Sequence, residues 1–73
     1  MIAGYAENAR PLTPRMRDVL LCAANGLTAA DTARRLHVSE PTVWNVRAAV
    51  CARLGVASIV AAVHAAHRAG ELR

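Results

Sequence analysis

Seventy-three residues allow one domain, near the lower size at which a single core sustains itself, and the formal net charge of +4 favours a polyanionic partner. All nine basic residues are arginine, phenylalanine is absent, and the aromatics are Tyr5 and Trp44 alone. A core built from Ala, Val and Leu buries modest area per residue, so dimerisation is a natural supplement.

Residues 1–11 lack periodicity and end at Pro11, and they read as a flexible arm ahead of a domain over 12–73. Thr13 then has the form of a helix N-cap, with Pro14 at the first helical position. Met16, Val19, Leu20 and Ala23 follow at helical spacing, and Asn25-Gly26 supplies a left-handed stop. Thr28 caps a second helix, with Asp31 as a short capping-box partner and Ala33 and Leu36 on the inner face. After a turn at His37-Val38, Ser39 caps a third helix from Glu40 to Leu54, terminated by Gly55. Pro41 is tolerated there because backbone donors in the first turn have no intrahelical acceptor. Ser58 opens a last helix that carries Ile59, Val63 and Ala66 and stops at Gly70. No segment alternates with period two, so the chain is all-α.

Two helices joined by a tight turn, the second polar on its outward side, describe a helix-turn-helix whose second member can enter the DNA major groove. Turning about 100° per residue along the third helix gathers Val43, Val46, Val50 and Leu54 on an inward arc. Pro41, Asn45, Ala48 and Ala52 lie opposite, an outward row small enough for close approach to base edges. Trp44 falls on one flank with Glu40, Arg47 and Cys51, and Thr42, Ala49 and Arg53 fall on the other. Asn45 can donate and accept at once, which matches adenine N6 and N7, and Ala48 suits a thymine methyl. Arg47, Arg53 and the Thr42 hydroxyl are placed for phosphates, and Trp44 for a sugar, a phosphate oxygen or a thymine methyl. The competing reading has Trp44 leaning on the second helix or the arm, and Arg47 paired with Glu40 along its own helix.

The stretch LTPRMRDVLLCAANGLTAADTARRLHVSEPTVWNVRAAVCARLGV, residues 12–56, resembles the LuxR/GerE-type helix-turn-helix domain without gaps. The resemblance implies a four-helix module that binds pseudo-palindromic DNA as a dimer, with its third helix in the major groove and its fourth at the dimer contact. The family domain usually ends a longer regulator, but short stand-alone members exist, and this chain is expected to be one of those, of bacterial or phage origin. This sequence departs from the family pattern at telling positions. Thr32 replaces a core isoleucine, and His37 a turn glycine. Trp44 replaces a lysine that commonly touches DNA, and Val46 a histidine. Arg47 stands where the pattern is apolar, as though the inward and outward choices at 46 and 47 were exchanged. Ile59 replaces a common arginine.

Ala62, Ala65, Ala66 and Ala69 form a small-residue strip on the last helix, which would let two copies pack closely and bury Val63 and Ile59; Ile59, Ala62, Val63 and Ala66 are the expected dimer contact. Cys22 and Cys51 are expected as buried free thiols of a reducing cytosol. The apolar run over 56–66 is too short to span a bilayer and contains His64. His64 and His67 lack a third metal ligand, and no nucleophile, phosphate loop or paired carboxylate site is readable, so neither a cofactor nor catalysis is expected. The expectation is therefore a cytoplasmic, sequence-specific transcriptional regulator that binds double-stranded DNA as a homodimer. The alternative is an adaptor using the same fold to grip RNA polymerase, a sigma factor or another regulator.

Overall fold

The computed structural model describes residues 12–70, which form four helices and no strand: α1 (Pro14–Ala24), α2 (Ala29–Leu36), α3 (Glu40–Leu54) and α4 (Ile59–Arg68). The arm read over residues 1–11 lies outside the described residues. Each helix begins where a hydroxyl side chain replaces a missing backbone acceptor. Thr13 Oγ1 accepts from the Met16 amide at 3.1 Å, Ser39 Oγ from Thr42 at 3.2 Å, and Ser58 Oγ from Ala61 at 3.1 Å. At α2 the cap is reciprocal: the Asp31 amide donates to Thr28 Oγ1 at 3.0 Å, and the Thr28 amide donates to the Asp31 carboxylate at 3.4 Å.

Three helix ends close in one way. The Leu27, Val38 and Val56 amides each reach back five residues, to the carbonyls of Cys22, Ala33 and Cys51, all at 3.0 Å. That closure needs a left-handed residue just before the donor. Gly26 and Gly55 supply it with φ of 84° and 71°, whereas the turn between α2 and α3 uses His37, at φ 60° and ψ 44°. A side chain held in this region costs roughly 1–2 kcal/mol, of which glycine's extra chain entropy returns about half. His37→Gly is therefore expected to stabilise the fold by about 0.5–1 kcal/mol, read as a rise of a few degrees in Tm. An unchanged or lowered Tm would mean that the imidazole makes a native contact outweighing the strain.

Two clusters make up the core. Leu12, Met16, Leu20, Val50, Ala62 and Ala66 join α1 to the later part of α3 and to α4, while Val19, Ala29, Ala33 and Val43 join α1, α2 and the start of α3. Val46 packs against both, so the position where the family pattern has histidine ties the two halves of the core together. The 4-residue break before α4 bends the chain by 49°, folding α4 back onto α1 and α3.

Thr32, in the slot of a core isoleucine, is fully buried. It avoids an orphan hydroxyl by donating Oγ1 to the Thr28 carbonyl at 2.8 Å, the same oxygen that receives its own amide. The expected free thiols are present as such, but only Cys22 is buried; Cys51 is half-buried at the edge of the first cluster. No single helix among the described residues is long and apolar enough to cross a membrane.

Candidate nucleic-acid interface

Ser39 fixes where α3 begins, and that start sets which side chains point away from the core. Val43 and Val50 are completely buried, and Val46 and Leu54 partly so, which turns the opposite side of the helix outward. Pro41, Asn45, Ala48 and Ala52 are all exposed along that side. Fifteen residues give a rod about 22 Å long, of a width that a major groove of about 12 Å accepts.

Trp44 is 54% exposed beside this row. It belongs to neither core cluster, so the part of its surface that Arg47 leaves uncovered is open to another molecule. Thr42 is half-buried, and its hydroxyl lies 2.9 Å from that of Ser39. Ser39 Oγ already accepts the Thr42 amide. If it donates its proton to Thr42 Oγ1, the Thr42 hydroxyl keeps its own proton for a phosphate oxygen. Arg53, on the far flank, is half-buried and already engaged within the molecule.

Arg47 departs from the expected flanking cation. Its side chain is half-buried, and one terminal nitrogen donates to the Leu27 carbonyl at 3.3 Å, across 20 residues of sequence. Its Nε is buried with no hydrogen-bond partner among the described residues. The guanidinium carbon lies 5.4 Å from the centre of the Trp44 ring. Leu27, in the turn between α1 and α2, is a member of the site that the sequence did not flag. The available signal was Arg47 itself, standing at a position where the family pattern is apolar. Elsewhere on the helix pair, Arg34 is tied to Asp31 one turn back, while Arg35 is exposed.

The expected dimer contact needs correction. Ala62 and Ala66 are completely buried within the monomer, where they fill the space between α4, α1 and α3. Small residues there allow close approach of helices inside one chain, so they are closed to a second copy. Ile59 and Val63 are half-buried and line a shallow groove of about 220 Å³ with Ala23, Ala24, Val60 and His64. Val60, 65% exposed, is the most open large apolar side chain on α4.

This arrangement coincides with a known family. The model for bacterial regulatory proteins of the luxR family, GerE type, matches residues 10–66. The chain belongs to the luxR family of bacterial regulatory proteins. A solved structure of the transcription factor GerE superposes with a TM-score of 0.81 at 31% identity, over 85% of this chain and 92% of that one. Proteins of Mycobacterium bovis and of Mycobacterium tuberculosis strain CDC 1551, both named as HTH-type transcriptional regulators, are 42% identical across 93% of this chain. The chain spans 8% of the length of these curated relatives. As a luxR-family domain, the chain has the four-helix fold of that family. Its α2 and α3 are the helix-turn-helix pair.

Proposed function

We propose that the chain is the DNA-binding module of a transcriptional regulator, acting in the cytoplasm as a homodimer that lays α3 of each protomer in successive major grooves. The observation that carries this reading is the outward side of α3. An exposed row of Pro41, Asn45 and Ala48 stands beside an open indole, on the third helix of a luxR-family fold. Asn45 reads an adenine edge, Ala48 and Trp44 lie against thymine methyls or sugars, and Thr42 and Arg53 hold phosphates. The name of the similar solved protein, a transcription factor, points the same way.

Dimer contact falls to the outer side of α4. Val60, with the flanks of Ile59 and Val63, supplies the apolar area that remains open there. Two-fold pairing through this surface sets half-sites about one DNA turn apart.

The test is selection from a random duplex pool, followed by affinity of the selected duplex against salt. One phosphate neutralised by Arg53 in each protomer, two per dimer, gives a log–log slope of roughly −2. A slope near zero, with no sequence enriched, overturns the DNA reading and favours the adaptor, in which Trp44 anchors RNA polymerase or another regulator.

A further inference from the structure

We infer that Arg47 is a positioning residue that clamps Trp44 in place on the recognition face, and that it is not itself a phosphate ligand. Three observations carry this assignment. A terminal nitrogen of Arg47 is tied to the Leu27 carbonyl at 3.3 Å, so the guanidinium is anchored to the turn between α1 and α2, outside its own helix. Its Nε is buried with no hydrogen-bond partner among the described residues, which leaves that side of the fork closed to solvent and to any phosphate. Its plane carbon stands 5.4 Å from the Trp44 centroid, within the range at which a cation is drawn to an indole face.

An exposed tryptophan on a helix surface has several rotamers to choose among, and each must be given up when a partner binds. A guanidinium held from the other side and packed on the ring removes most of that choice beforehand. The indole is then presented as a rigid apolar plate where the family pattern has a flexible lysine. Such a plate recognises surfaces by shape, such as a thymine methyl or the face of a deoxyribose, and adds nothing to counterion release. The unusual pair at 44 and 47 thereby has one explanation. Arg47 occupies an apolar slot because its task is to pack and anchor, and Trp44 takes the outward position because it is held there. The carbonyl it holds also links the turn after α1 to the middle of α3, so the plate and the helix-turn-helix angle are fixed together.

The assignment of Arg47 to Trp44 stands on the free protein; its consequence for recognition rests on the DNA-binding reading above. Trp44 is the sole tryptophan, so its fluorescence reports this contact alone. In free protein, Arg47→Met is expected to add a fast component to the indole anisotropy decay and to raise quenching by acrylamide. Arg47→Lys, which keeps the charge without the planar fork, is expected to behave like Arg47→Met. Indole mobility unchanged from wild type in both variants overturns the clamp, whatever the protein binds. With the duplex selected by wild-type protein as probe, Arg47→Met is expected to weaken binding roughly tenfold with an unaltered salt slope. A slope shallower by about 0.9 per protomer would make Arg47 a phosphate ligand and overturn the inference. Failure of the wild type to bind any duplex removes the DNA reading alone, because the anisotropy measurement still decides the clamp.

Discussion

Replacing Leu20 by alanine is expected to cost about 3–4 kcal/mol of folding stability. Leu20 is the largest completely buried side chain among the described residues, and it sits where α1, α3 and α4 meet, among Leu12, Met16, Val50, Ala62 and Ala66. Those neighbours are mostly short. Alanines at 62 and 66 cannot extend into the space that a lost isobutyl group leaves, so the cavity stays open and both the transfer and the cavity cost apply. A domain of this length holds on the order of 4–10 kcal/mol in all, so this one truncation removes a third or more of it. Urea denaturation at fixed protein concentration measures the change, since dimerisation would otherwise shift the midpoint. Val60→Ala, on the open side of α4, serves as the control and is expected to shift monomer stability by less than about 0.5 kcal/mol. A loss below about 1 kcal/mol for Leu20→Ala would mean that the core closes around the gap and that α1 is not the centre of the fold.

The parts of this architecture that were legible in the sequence are those encoded within a few residues. Thr13, Thr28, Ser39 and Ser58 announce helix starts because a hydroxyl one position before a helical run can satisfy an amide three residues on, and all four do so. The outward row of α3 was legible for a related reason: once Ser39 sets the start, rotation per residue places Asn45 and Ala48 opposite Val43 and Val50. Alanine carries no such signature. Ala62 and Ala66 pack as well against their own chain as against a copy, and only the path of α4 over α1 decides that they lie inside. The tie of Arg47 to the turn after α1 was not legible because the carbonyl that anchors it is not local. Helical geometry puts it on a flank open to phosphates, while a carbonyl 20 residues away draws it in. Even so, the apolar slot that the family pattern assigns to that position pointed inward, and the charge masked it. Cys51 fell short of burial because the first cluster ends beside it.

Asn45→Ala is expected to erase discrimination at one base pair of each half-site while leaving the fold and the salt slope untouched. The side chain is exposed in the middle of the outward row, one residue from Trp44 and three from Ala48, and it supports nothing in the core. Removing it therefore alters the reading surface alone. An amide that donates to adenine N7 and accepts from N6 cannot keep both bonds with any other base, because guanine retains N7 but puts an acceptor in place of N6; the difference is about 1–3 kcal/mol, or roughly 5- to 150-fold in relative affinity per half-site. Truncation to alanine leaves a methyl that every base pair accommodates about equally, so a selection repeated with the variant should flatten one column of the preferred site and keep the others. Constancy of the salt slope separates this outcome from loss of a phosphate contact, because asparagine displaces no counterion. Were the preferred site to survive unchanged, adenine recognition by Asn45 would be refuted. Discrimination would then reside in the shape contacts of Ala48 and the clamped indole, a readout that tolerates exchange of hydrogen-bonding partners but not of the thymine methyl.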